Sequence, residues 1–375
     1  MIAERYIIRS ALRPLAAICG VLIFIFGCYM AARYWAHAAH GKLPGSVVMT
    51  LIGLRSLIAL ELLLPTALFF SVVIAMDRMI RQSEMLALFA CGIGLGKIVK
   101  AVVMLSLVIF SAVLIISLWI RPWAWSQFFE TKARAKASFD LTRMKPGVFY
   151  EIWDGKRVIF AQEISRDKNR ARGIFIKTRA GGAQEGEESI QVIYASSARQ
   201  VMDRRSGNPL LILKDGREYE LSLSGQADFV MEFESSRMLL EPRKIELEEK
   251  IKAVATRRLL SSHDREGIAE LQWRLLMPIS SVLLALCALG ICLRFTSPRR
   301  GRSISTAVAI VVFALFYNLM AISKKWLAQG RLPAAPGLGV GLLALAAFTI
   351  VLFWPHIRLL RSARMARSHD EREGQ

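Results

Sequence analysis

Hydrophobic and polar positions follow two different patterns in this chain. Six apolar runs, at about residues 15–36, 57–76, 98–120, 268–293, 304–320 and 338–355, are nearly free of charge. About 20 such residues suffice to carry a helix across a ~30 Å hydrocarbon core, so the runs predict six membrane spans. Between the third and fourth runs, from about Arg121 to His263, the pattern changes. Short runs such as Val148-Phe149-Tyr150-Glu151-Ile152-Trp153 and Gly173-Ile174-Phe175-Ile176-Lys177 alternate between the two kinds of residue. That period is the mark of β-structure. The expected architecture is an α-helical membrane protein with six transmembrane helices and an inserted all-β, jellyroll-like domain. Its segments are 1–125, 126–263 and 264–375.

Within the insert the candidate strands are 147–153, 157–164, 172–179, 189–195, 198–203, 209–214, 217–223 and 227–234. Two Asp-Gly pairs, Asp154-Gly155 and Asp215-Gly216, read as hairpin turns. Gly181-Gly182 and Gly207-Asn208-Pro209 mark loops. Short strands in series without helices predict a sandwich or jelly roll. Phe149, Ile159, Phe175, Ile193 and Leu211 are the candidates for its inward face. Residues 126–137 read as an outward continuation of the third helix, and 246–260 as a charged linker to the fourth.

Composition sharpens this picture through charge. The net charge is +20, which in a soluble chain would point to nucleic acid. Here Lys and Arg flank the apolar runs, so they read as orientation signals and no nucleic-acid partner is expected. The N-terminus, the 77–100 and 294–302 loops and the 358–367 tail carry most of them; Arg33, Lys42, Arg55, Lys324, Lys325 and Arg331 lie on the opposite side. That bias places both termini in the cytoplasm and the insert outside. Arg5, Arg9 and Arg13 share one helix face and suit an anionic leaflet. The first run is too long for a signal peptide and has no cleavage site after it, so it is expected to stay as a helix. The five cysteines all lie outside the insert, which excludes a disulfide framework there, and no Cys/His spacing suggests a metal.

No catalytic constellation emerges. Gly92-Ile93-Gly94-Leu95-Gly96-Lys97-Ile98 imitates a phosphate loop, but Cys91 stands where its first glycine belongs and Ile98 where it needs Ser or Thr. A nucleophile elbow and a His-Glu-x-x-His helix are absent too, and the chain reads as a non-catalytic subunit without a cofactor. The 77–97 loop is more informative. Ser83 reads as an N-cap with Glu84 in the first turn of a short helix, and Cys91-Gly92 ends it. An interfacial elbow and a helix that docks into a cytoplasmic partner fit equally well. Glu61, inside the second run, is expected to pair with a basic neighbour, Arg55 being six residues earlier; a proton relay is the alternative. Glu270 and Arg274 have intrahelical spacing, and Pro65 and Pro278 are expected kinks.

The opening Arg5-Tyr6-Ile7-Ile8-Arg9 and the segment Ser83-Glu84-Met85 through Ala90-Cys91-Gly92, set in this architecture, resemble the YjgP/YjgQ permeases. These are the lipopolysaccharide-export subunits LptF and LptG, and the Ala-Cys-Gly ending leans to the LptF branch. The resemblance implies a bacterial inner-membrane subunit paired with an LptG-like sister permease and driven by an LptB-like ATPase dimer. LptC- and LptA-like β-jellyroll proteins would receive the lipopolysaccharide in the periplasm. It also implies that Glu84, with Ser83, Met85 and Leu86, couples to the ATPase. Arg33, Lys42, Arg55, Lys324 and Lys325 become candidates for the lipid phosphates, with interface snorkelling as the plainer role. A non-transporting scaffold or sensor whose β-domain binds an envelope partner is the alternative function.

Overall fold

The structure is a computed structural model. It describes residues 2–39, 45–137, 146–152, 157–165, 169–181, 188–202, 209–222, 229–239, 251–262, 264–296 and 304–355. The chain divides into two compact units, one of Met1–Met30, Ile52–Phe128 and Leu247–Gln375, the other of Ala31–Leu51 and Phe129–Glu246.

The helical elements are α1 (Ile2–Ala39), α2 (Gly45–Arg81), α3 (Glu84–Ala90) and α4 (Leu95–Ile115). A π-helical turn at Ile116–Ile120 carries α4 into α5 (Arg121–Ala137); α6 (Thr256–Leu259), α7 (Arg265–Phe295) and α8 (Ser305–Ala328) follow. A last helix, α9, spans Gly339–Pro355. Among the described residues five helices are suited by length and composition to crossing a membrane: α1, α2, α4 with its continuation, α7 and α8. The expected sixth span falls on the shorter α9.

Most helices outrun their apolar cores. The second reaches Arg81, so Asp77 to Arg81 are its last turns rather than part of a loop. Helix α8 continues past Lys324 and Lys325 to Ala328. There Gly330, at φ +77°, ends it: its N–H donates to Leu327 O and the Arg331 N–H to Trp326 O, a Schellman turn. The fifth α-helix continues the third span as expected, and of the linker before α7 only residues from 251 onward are described.

Helix α7 is the axis of the bundle. Met277, Leu284, Ala285, Cys287, Ala288, Leu289, Ile291 and Cys292 are fully enclosed. Small side chains let neighbours approach closely, as membrane-helix packing requires. A Cβ added at Gly290 would lie only 3.0 Å from Leu352 of α9.

The β-unit is one antiparallel meander, β1 (Phe149–Ile152), β2 (Arg157–Ser165), β3 (Arg170–Gly181), β4 (Glu188–Met202), β5 (Pro209–Ser222) and β6 (Phe229–Leu239), paired in sequence order. The eight expected strands become six because 189–195 joins 198–203 and 209–214 joins 217–223. Asp215-Gly216 is therefore no hairpin turn; the Asp154-Gly155 pair lies outside the described residues.

Both apparent breaks belong to one transverse crease. The pairings bridge Gln162, Gly173, Ser196, Asp215 and Glu234 without a slip in register on either side. Inward positions change parity at this line in every strand it crosses. Residues 159 and 161 give way to 164, 171 to 174 and 176, 193 and 195 to 198 and 200, 211 and 213 to 216, and 233 to 238. Backbone chemistry permits the fold at two points. Gly173 has φ +58° and Asp215 φ +49°, the left-handed region tolerated by Gly and by Asp. Ser196 Oγ donates to Asp215 O at 3.0 Å. Because of the crease, Ala171, Ala198, Leu211 and Leu213 join Ile159, Ile174, Ile176 and Ile193 in one core. One bent sheet thus makes the all-β domain that the sequence predicted as a sandwich or jelly roll. Ile159, Ile193 and Leu211 face inward as anticipated, but Phe149 is 64% exposed and Phe175 lies between inward-facing Ile174 and Ile176.

At Gly173 a Cβ would sit 2.7 Å from Gln162 Oε1 and 2.9 Å from Gln162 Cβ. Gly173→Val is expected to cost about 1–3 kcal/mol locally. Hydrogen exchange of the full chain should show faster amide exchange in β2, β3 and β4 with the helices unchanged; unaltered protection there would remove the crease from the account.

Candidate functional site

Two polar assemblies stand out in the helical unit. The first is the α2–α3 corner. Residues 82–83 turn the chain, with Gln82 N–H donating to Arg78 O and Ser83 N–H to Ile80 O. Ser83 precedes α3 as expected, but in the left-handed conformation (φ 59°, ψ 9°) and without a side-chain cap. Its backbone carbonyl accepts from Ala87 N–H instead. Glu84 does occupy the first turn, and Tyr6 Oη of α1 donates to its Oε2 at 2.8 Å. Two further contacts hold the start of α1 nearby: Arg78 Nη2 donates to Ser10 Oγ at 3.0 Å, and Lys100 Nζ lies 3.3 Å from Glu4. Met85 is buried and pins α3 to the bundle, whereas Leu86 (69%) and Phe89 (42%) stay exposed. Gly92, at φ +75°, closes the helix: its N–H donates to Phe89 O and that of Ile93 to Leu88 O. The result is a braced helix whose outer side presents two large apolar residues.

The second assembly is a buried charge cluster. Glu61 of α2 pairs with Arg121, whose Nε stands 3.1 Å away. The same guanidinium reaches Glu270 of α7 at 3.0 Å. Glu270 also meets Arg274 Nε at 3.3 Å and Lys324 Nζ of α8 at 2.6 Å. Both acids, Arg121 and Arg274 are at most 5% exposed. The intrahelical Glu270–Arg274 pair is as the spacing predicted. Glu61, however, takes Arg121 and not Arg55. The Arg55 guanidinium instead lies 4.3 Å over Trp125 and 4.5 Å over Phe128, where aromatic faces hold the cation.

Backbone irregularities build this cluster. Proline removes the donor to the carbonyl four residues back, so Pro65 frees the Glu61 carbonyl and Pro278 that of Arg274. The Ser117 hydroxyl lies 3.0 Å from Arg274 O and 2.7 Å from Glu61 Oε1. Ser117, in the π-turn at 116–120, and Arg121, four residues on, both reach the cluster. Arg274 spends its other donors on the chain before α7, on Val254 O (2.9 Å), Thr256 Oγ1 (3.0 Å) and Lys252 O (3.0 Å). Thr256 Oγ1 in turn donates to Leu118 O. A carboxylate among apolar helices is costly unless paired, and here each has at least two partners.

The five basic residues expected to face a lipid do not share one environment. Arg33 and Lys325 are exposed. Lys324 is committed to Glu270 and lies 4.6 Å over Trp273. Arg55 is stacked as described, and Lys42 is outside the described residues. Sequence reasoning missed Arg121 and Ser117. Arg121 sits at the end of an apolar run and passed for a boundary charge, and the π-turn that swings it inward has no sequence signature.

Comparison with known proteins fits this architecture. The sequence model of the lipopolysaccharide export system permease LptF/LptG matches residues 5–355. The chain belongs to the LptF/LptG family. It is 25% identical over 365 residues to the lipopolysaccharide export system permease protein LptF of Escherichia coli (strain K12), covering 96% of this chain and 97% of that protein. The LptF of Shigella flexneri is similar at the same identity and coverage. As an LptF/LptG-family permease it is a multi-pass inner-membrane protein of the lipopolysaccharide export system.

Arg121 bridges two acids, so Arg121→Leu should destabilise the protein by about 3–5 kcal/mol, the range for breaking a buried pair. Adding Glu61→Gln should recover part of that loss. Thermal unfolding of the detergent-solubilised chain reads both, and an unchanged midpoint in the single variant would refute the cluster's structural weight.

Proposed function

We propose that this chain is the membrane subunit of an ATP-driven exporter that extracts lipopolysaccharide from the outer leaflet of the inner membrane. Its sister permease is LptG-like, hydrolysis takes place in an LptB-like ATPase dimer, and the lipid passes to LptC- and LptA-like β-jellyroll proteins. Both termini are cytoplasmic and the β-unit is periplasmic, the orientation that the Lys and Arg distribution supports. The segments 1–125, 126–263 and 264–375 correspond to three helices with the coupling segment, the periplasmic domain, and three further helices. The chain has no catalytic role of its own.

One observation carries this reading: α3 is braced at Glu84 and Met85 yet exposes Leu86 and Phe89. An interfacial elbow would bury such a pair in the lipid boundary; a helix that enters a groove is anchored by it, and the Tyr6 brace on Glu84 favours the groove. Ser83 sets the corner, and Tyr6 orients the Glu84 carboxylate. An ATP-driven displacement of α3 would then reach the spans as a rigid-body shift.

On the lipid side, exposed Arg33 and Lys325 are the direct candidates for phosphate contact. Arg55, Lys42 and Lys324 complete the candidate set, with Arg55 and Lys324 also held by their internal partners. Lipid A phosphates are anions that guanidinium and ammonium groups recognise.

Glu84→Arg puts a cation in the first turn of α3 and removes the Tyr6 acceptor. The ATPase should no longer co-purify with the permease pair; intact association with unchanged lipid-stimulated hydrolysis would sink the coupling assignment. Neutralising Arg33 and Lys325 together by Gln should lower lipopolysaccharide-stimulated turnover by several-fold while basal hydrolysis persists. Undiminished photo-cross-linking to the lipid would reduce both residues to membrane anchors.

A further inference from the structure

A third buried carboxylate lies near the C-terminal end of α2. Asp77, 4% exposed, sits one turn before the chain leaves for α3. Its Oδ1 accepts from Thr296 Oγ1, the residue just after α7, at 2.9 Å, and from Ser305 Oγ, the first residue of α8, at 2.8 Å. Its Oδ2 lies 2.9 Å from Arg81 Nε. One turn deeper, Cys292 Sγ of α7 donates to Val73 O at 3.4 Å. Simple packing of these helix ends would be served by an apolar residue, because burying a charge is costly. A buried carboxylate that gathers donors from three elements fixes their register instead, a use of buried polar groups known in other folds.

The position of this contact matters for transmission. The chain between Asp77 and α3 has little slack, since the turn at 82–83 is closed by backbone hydrogen bonds. The apolar contacts among α2, α4 and α7 are non-directional and allow sliding. Hydrogen bonds to one carboxylate are directional and move with it.

We propose that the Asp77 carboxylate is the joint that passes displacement of α3 to α7 and α8. Asp77, Thr296 and Ser305 are thereby positioning residues of the transport cycle. The proposal rests on α3 being the coupling helix.

The test uses the whole complex, with sister permease and ATPase, reconstituted in lipopolysaccharide-containing vesicles. ATP hydrolysis and lipid extraction are measured side by side. Thr296→Val with Ser305→Ala removes both hydroxyl donors and leaves Arg81 beside the carboxylate. The ATPase should still co-purify and hydrolyse ATP, while lipid extracted per ATP falls at least about tenfold once both hydroxyl hydrogen bonds are lost. Asp77→Asn keeps an oxygen acceptor for both hydroxyls and should hold the ratio near that of the parent, whereas Asp77→Ala should lower it as the double variant does. An unchanged ratio in the double variant, or a loss in Asp77→Asn as deep as in Asp77→Ala, overturns the joint. If the double variant does not assemble, the single Thr296→Val and Ser305→Ala variants decide, each expected to lose part of the ratio and each refuting the joint if it loses none. Failure of the coupling reading shows itself separately, as a Glu84→Arg complex that binds and hydrolyses like the parent.

Discussion

No lone charge is tolerated among packed apolar helices, and much of the helical unit follows from that constraint. Glu61, Glu270, Arg121, Arg274 and Lys324 satisfy it collectively. A single pair would leave carboxylate oxygens or guanidinium protons without partners, and the desolvation penalty would then exceed the attraction. The network closes only because α2, the π-turn, α7, α8 and residues 252–256 each supply a group. Its local oddities therefore have one cause: Pro278 frees a carbonyl, Ser117 lies within reach of it, and the π-turn puts Ser117 where it is needed.

The β-unit solves a different problem, how to enclose a core with one sheet and no disulfide. A flat meander would leave its apolar face open to water, and an unbent register cannot bring the two halves of a long strand onto the same core. The crease does both at once. Each strand it crosses shifts parity at the same transverse line, so every inward side chain on either half still points to the core. Since neighbouring registers continue unbroken, the ladder loses little pairing for the bend.

How much of this was legible in the sequence depends on the range of the interaction. Spans, insert and the Glu270–Arg274 pair are local or periodic, and the sequence displays them directly. Strand count failed at Ser196 and Asp215 because a coordinated parity shift looks, in one strand alone, like a strand end. The Asp215-Gly216 pair was misread for a related reason: the left-handed backbone that suits a hairpin turn also suits a crease. Arg55 was expected beside Glu61 because it is near along the chain, while Arg121, the partner that Glu61 actually takes, arrives from another helix. The α3 segment was legible from its capping residues, yet Tyr6 as the partner of Glu84 depends on tertiary packing across 78 residues.

The two buried polar assemblies also limit how the helices can move. From Glu61 to Asp77, α2 spans about 24 Å, with the charge cluster at one end and the Thr296–Ser305 contact at the other. Helix α7 joins the same two points, through Glu270 and Arg274 at its start and Cys292 and Thr296 at its end. Helix α8 runs back between them, from Ser305 on Asp77 to Lys324 on Glu270. Three helices pinned at these two points cannot shear past one another without breaking buried ion pairs or hydrogen bonds. They can tilt together, or one end can release as a unit while the other holds. In the cluster, Glu270 would keep both arginines if Lys324 withdrew. The Asp77 end gathers two hydroxyls and one exposed arginine among its contacts, and it is the end to which α3 is attached. A force applied at α3 would therefore reach the Asp77 contacts before the charge cluster.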